Sequence, residues 1–271
     1  MSISRAITVL CADILLFVYG SALADTSLVF KDQAGKQTTV QVAGGVGRMQ
    51  QADDSGYILF DSRSRTVLHV DPGRGSYMEM TEDRINSQMD QAAAMRRKMA
   101  PQLKMMKEQL VNVDPQTRKM IEQRMAGMPG MADAGSEPKV PASIKLVAKG
   151  RKTVAGLECQ QHRLLQDGKH VADVCLIRSA GGKISRQDFQ TLEATMGFFR
   201  KMASKAVQMT GGRDRLPALG TASIEGLPVD IRDLVKGNRL TLVSVSDGKL
   251  SSDLFTAYRK LKKQQMPGLP H

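Results

Sequence analysis

Apolar and polar residues alternate with a period of two over short stretches at the start of the chain, then switch to a period near 3.6. Thr26 to Lys31, Gln37 to Val42, Tyr57 to Asp61, Thr66 to Val70 and Tyr77 to Met80 read as strands. Polar turns rich in Asp, Gly and Pro separate them. This close spacing leaves no room for crossovers, so the pattern predicts an antiparallel meander. The glycine-rich run Ala43 to Gly47 lacks the Lys-Ser/Thr and helix of a phosphate loop and reads as a bend or bulge.

Thr81 is placed to cap a helix, with Glu82 and Asp83 in the first turn, where the helix dipole favours acids. Ile85, Met89, Ala92, Met95, Met99, Leu103, Met106 and Leu110 keep the helical period, and Pro101 predicts a kink. Asp114-Pro115 opens a second, short helix through Ala126. Residues 127–141 read as a mobile linker by composition.

A strand from Ser143 to Lys149 precedes a hairpin over Thr153 to Ile177. Closing that hairpin on a three-residue loop, Gln166-Asp167-Gly168, sets Leu165 opposite Lys169, His162 opposite Ala172 and Cys159 directly opposite Cys175. Ser185 and Asp188 then make a capping box for a helix carrying Phe189, Leu192, Met196, Phe199, Ala203 and Val207. Gly211-Gly212 ends it, and Arg213 to Gly220 reads as loop. Strands return at Thr221 to Glu225, Pro228 to Lys236 and Arg239 to Val245, with Ser251 to Tyr258 as an edge strand. Apart from that edge strand the segments number eleven, and the expected sheet has about nine to eleven strands.

The ends of the chain read differently. Arg5, the apolar run Ala6 to Val18 and Ala22-Leu23-Ala24 make residues 1–24 a signal peptide, leaving a single domain over 25–258 and a basic tail over 259–271. No later apolar run is long enough to cross a bilayer. The expected location is therefore the periplasm or the outside. There Cys159 and Cys175, the two cysteines beyond the signal, read as a structural disulfide closing a loop of about 17 residues. The net charge of +12 fits either an anionic envelope surface as partner or Lys and Arg that simply solvate the surface. No helix-turn-helix or RNA-binding signature points to nucleic acid.

No catalytic constellation emerges. His69, His162, His170 and His271 include none at i,i+4 with an acid, and His162 with His170 lacks a third metal ligand. No nucleophile-elbow motif is present. The reading is of a protein that is not an enzyme and carries no cofactor. Its unusual feature is 17 methionines beside no tryptophan. They fit three roles: core packing, an adaptable apolar lining, or Cu(I) ligation by Met78 with Met80 and Met95 with Met99.

Several runs together resemble the DUF4412 family of exported bacterial proteins. They are YILFD at 57–61, Val70-Asp71, YMEM at 77–80, the Met-rich helix, Asp114-Pro115-Gln116, VAGLEC at 154–159, SRQDF at 185–189 and EGLPV at 225–229. More distantly the pattern is similar to the LolA/LolB/LppX group of lipoprotein carriers and lipid-binding proteins. That resemblance implies an α+β fold: a strongly curved antiparallel sheet forming an open half-barrel, with helices on its concave face. It also implies a non-enzymatic periplasmic binder of a lipid or lipoprotein acyl chain. Met89, Met95, Met99, Met106, Phe189, Leu192, Met196 and Phe199 are the expected ligand-lining residues. The alternatives are an envelope structural or stress interaction protein with no cavity, and a Met-rich copper-binding protein.

Overall fold

The computed structural model describes residues 25–110, 114, 116–117, 120, 143–209 and 224–265, and within α1 and α2 it leaves aside the side chains of 92, 96, 103–104, 106–110 and 206–209. The signal peptide, the 127–141 linker and most of the short helix expected after Pro115 lie outside the described residues, as does the side chain of Met106.

The fold is α+β: a curved, unclosed, mostly antiparallel sheet with a few helices. It begins with β1 (Asp25–Asp32), β2 (Gln37–Ala43), β3 (Val46–Gln51), β4 (Tyr57–Asp61), β5 (Thr66–Asp71) and β6 (Ser76–Thr81). Helix α1 (Glu82–Leu110) follows, then β7 (Ile144–Val154), β8 (Leu157–Gln166) and β9 (Lys169–Ile177). Helix α2 (Arg186–Met209), β10 (Leu227–Asp233), β11 (Arg239–Gly248), α3 (Asp253–Thr256) and β12 (Lys262–Gln264) complete it.

Among the described residues the sheet has twelve strands in the order β12-β6-β5-β4-β3-β2-β1-β11-β10-β9-β8-β7. The predicted meander is the continuous run β1 to β6. Two strands exceed the sequence reading. The glycine-rich segment resolves into a tight turn at Gly44-Gly45 and the strand β3, and β12 adds a short parallel pairing to β6. Ser251 to Tyr258 is not an edge strand. Phe255, Tyr258 and Leu261 recur at a helical interval, and winding this stretch sets all three against Tyr57, Leu59, Leu68 and Val70. The Tyr77 and Tyr258 rings meet edge-on at 5.1 Å. Residues 262–264, within the segment read as tail, are in the sheet, and 266–271 lie outside the described residues.

The curvature can be measured on the structure. Strands β11 and β7 are four places apart, which in a flat sheet is about 19 Å at about 4.8 Å per strand. Their Cα atoms nevertheless approach within 8 Å. Four irregularities lie in this part of the sheet, between Val29 and Phe30, Ala148 and Gly150, Leu164 and Leu165, and Pro228 and Asp230. Each bulge bends its strand and increases the local twist.

The β8–β9 hairpin closes one residue tighter than expected. Asp167 (φ 50°) and Gly168 (φ 77°) both lie in the left-handed region, so Gln166 pairs with Lys169 across a two-residue turn. A bulge at Val171 then restores the ladder, Leu164 faces Ala172, and Cys175 faces Gln161 rather than Cys159. The disulfide forms all the same. It runs on the diagonal between Cys159 and Cys175, whose Cα atoms are 5.5 Å apart, and both cysteines are buried.

The two free margins of the sheet are basic. Strand β7 exposes Lys145, Lys149 and Arg151 and carries a bulge, while β12 is three residues long and presents Lys262 and Lys263. No described helix is long and apolar enough to cross a membrane.

Candidate functional site

Helix α2 forms one wall of an apolar concavity. Ser185 begins it: its Oγ accepts the Asp188 backbone N–H at 3.1 Å, as a helix cap does. The Asp188 carboxylate does not complete the predicted reciprocal box. It accepts the Thr26 hydroxyl at 2.7 Å instead, tying the start of α2 to β1. Burial pushes the Asp188 carboxyl up, nearby Asp25 adds to this, and the Thr26 and Ser185 hydrogen bonds work against it.

The helix then passes over β3 at Gly47. A Cβ there would lie 3.1 Å from the Thr195 hydroxyl, so the absence of a side chain sets how closely α2 approaches. One flank of α2 is packed solid: Phe198 stacks on Phe60 at 5.1 Å, joined by Val67, Met80 and Ile85. Phe189 and Leu192 enter the main core with Leu28, Leu227 and the disulfide.

The other flank is not filled by the described residues. A void of about 910 Å³ lies between α2 (Met196, Phe199, Arg200, Ala203) and Ile224, Pro228, Ile231 and Leu240. A narrower void of about 240 Å³ continues inward to Leu28, Phe30, Val40 and Leu192. Met196, Phe199, Pro228, Ile231 and Leu240 wall both, so the two form one groove. Its volume suits a small-molecule ligand.

The groove is polarised along its length. Its deep end is aliphatic and aromatic. Its outer end is made by the exposed β1–β2 turn (Gln33, Ala34) and the β10–β11 turn (Lys236 to Arg239). A further depression at these turns adds Lys31 and Arg232. Arg200 sits on the wall between, where its Nη1 donates to the Ile224 carbonyl. Burial lowers the Arg200 pKa, and Glu193 partly offsets this. The acids at this end are occupied. Asp233 accepts the Val235 and Lys236 backbone N–H groups, and Asp32 accepts that of Lys36.

Of the residues singled out from the sequence, the structure brings Leu192, Met196 and Phe199 to the groove, while Phe189 is plain core. Met89 and Met99 are half-buried on α1 and are not among the groove walls, and Met95 is 50% exposed. The other walls, Ile224, Pro228, Ile231 and Leu240, carried no signal beyond strand alternation.

Among the described residues no group of three or more His, Cys, Asp or Glu is placed to hold a metal. His162 is buried against the Gln160 carbonyl, and His170 contacts Asp173 at 3.1 Å.

No protein family profile matches the chain, nor does any curated protein. Among solved structures it is similar to an uncharacterized conserved protein from Thermus thermophilus. That alignment covers 90% of this chain and 92% of the other at 6% identity, with a TM-score of 0.38.

Proposed function

We propose that this chain is a non-enzymatic, exported binding protein that holds an apolar ligand, a lipid or an acyl chain, in the groove between α2 and the sheet. The observation that supports it is the unfilled apolar space itself. Ligand sites are concave and mostly apolar with a few polar groups, and the open groove walled by Met196, Phe199, Ile231 and Leu240 has that character. Methionine and phenylalanine make walls that adapt to a flexible chain. In this reading the chain is a DUF4412-type member of the LolA-like carriers, working in the periplasm after loss of residues 1–24.

Native mass spectrometry of protein purified from the periplasm tests the proposal. A co-purifying lipid mass, lost on delipidation and accompanied by new binding of the apolar dye ANS, is the expected result. Protein that carries no lipid and offers ANS no site in its folded state would refute it.

A further inference from the structure

We infer that the occupant is a single-chain aliphatic carboxylate, of the fatty-acid class, lying with its tail between α2 and the sheet and its carboxylate at the turns beside Arg200, Lys236 and Arg239. This rests on the binding function proposed above and adds the head group and its direction.

Three observations carry it. The first is the polarity of the groove: the inner end is mainly apolar at Leu28, Phe30 and Leu192, its wall residue Arg48 having its guanidinium engaged by Gln41, Gln50 and the Tyr57 ring, while the turn end is ionic, which matches an amphiphile in one orientation. The second is charge. With Lys31 and Arg232 of the adjoining depression the turn end bears five cations, of which Arg239 is paired with Asp230, against Asp32 and Asp233, so this end stays net positive and suits an anion. Both carboxylates already accept backbone N–H groups. The third is Arg200, a guanidinium on an apolar wall that has no ion-pair partner among the described residues. An arginine fork matches a planar carboxylate, and partial removal from water strengthens that contact. The depth suits one chain, since the inner void is only about 240 Å³.

Titration of the delipidated full chain with four probes of equal chain length tests this: palmitate, 1-hexadecanol, hexadecyltrimethylammonium and 1-palmitoyl lysophosphatidate. Palmitate is expected to bind about tenfold or more tighter than the alcohol, and the gap should narrow as salt is raised. Lys236→Gln, at an exposed turn, and Arg200→Gln should each shrink the ratio of palmitate to alcohol affinity. Equal binding of acid and alcohol, or binding of the ammonium as tightly as the acid, overturns the inference and leaves the apolar binding function standing. Tight binding of lysophosphatidate without palmitate overturns the carboxylate assignment. If none of the four binds, the binding function itself falls.

Discussion

Lys152 and Asp230 are joined by an ion pair that passes over the disulfide: in the sheet register Lys152 faces Cys159, and Asp230 faces Cys175. The four residues run across β7, β8, β9 and β10 with a two-residue step between the cysteines, tied in the middle by the diagonal covalent bond and at the ends by a charge contact. In a flat sheet the ends of that run would be about 14 Å apart, at about 4.8 Å per strand. The pair therefore forms only because this part of the sheet is curled. Thr241 and Arg239 on β11 donate to the same carboxylate, so Asp230 gathers three strands.

Asp230→Asn should lower stability at neutral pH by about 2–4 kcal/mol, because Lys152 and Arg239 lose their shared counter-charge at a largely buried site. The lysine is 30% exposed, which keeps the figure below that of a fully buried pair. Burial raises the Asp230 carboxyl, but the hydrogen bonds from Lys152, Thr241 and Arg239 win, and its pKa lies below the ordinary value. A depressed carboxyl contributes stability that is complete above the unfolded value near 3.9 and is lost as pH falls through the folded one. Urea melts between pH 7 and pH 2 check this: the wild type should lose that increment below about pH 4, and the variant should lack it.

Replacing both cysteines, as Cys159→Ala with Cys175→Ala, should cost about 3 kcal/mol through the freed loop. For a domain of this size that is a fall of roughly 6–12 °C in Tm by calorimetry. A melt unchanged by the double substitution would exclude a stabilising role for the bond.

Asp188 predicts the opposite pH dependence. A folded carboxyl held above its ordinary value contributes stability below the unfolded pKa near 3.9 and loses it as pH rises through the folded value. Asp188→Asn still offers Thr26 an acceptor and carries no charge to desolvate. It should be neutral or up to about 1 kcal/mol stabilising at pH 7, with the gain absent at pH 3. Thermal melts at the two pH values decide.

Gly226 precedes β10 at φ 99°, and a Cβ there would lie 2.5 Å from the Ile177 carbonyl oxygen. Gly226→Ala combines a disfavoured backbone region with a backbone clash and should destabilise by about 2–4 kcal/mol. Gly150, where a Cβ meets nothing within 4 Å, is the matched control and should change far less.

Ala203 lines the larger void from α2. Ala203→Trp fills that space, so it should leave Tm within a few degrees while reducing ANS or lipid binding at least about tenfold, since a filled site excludes the ligand without opening the core. Loss of fold, measured by circular dichroism, would show instead that the residue has no room.

The local signals in the chain carried far. Period-two runs marked β4 at its observed bounds and β5 to within one residue, and Ser185 with Asp188 marked the start of α2. Errors arose where two local solutions are close in energy. Gln166-Asp167-Gly168 serves a two- or a three-residue turn, and the bulge at Val171 moves the register a second residue the same way, which returns both cysteines to one face of the sheet and lets them meet on a diagonal. Leu254 and Tyr258, four apart, satisfy either period over so short a stretch, and the apolar patch around Tyr57 and Val70, which takes Phe255 and Tyr258 together, decided for the helix. The groove was the least legible part. It depends on how α2 sits on the sheet, which is set by Gly47 against Thr195 and by Thr26 against Asp188, contacts between residues far apart in the chain. The methionine stripe of α1 has a strong period, yet period alone does not say whether a helix face meets a cavity or water.

The basic margins of the unclosed sheet have a consequence for how copies of this molecule coexist. Unpaired strand edges invite a neighbour to continue the ladder, the route by which open sheets grow into fibres. Laying a second β7 alongside the first would bring ammonium and guanidinium groups together, and the bulge would interrupt the hydrogen bonds that such an addition needs. At the far margin, β12 offers three residues and two more lysines. Strand-by-strand growth is thus opposed at both ends, and the hollow that a half-open architecture provides is kept without the polymerisation that such an architecture otherwise risks.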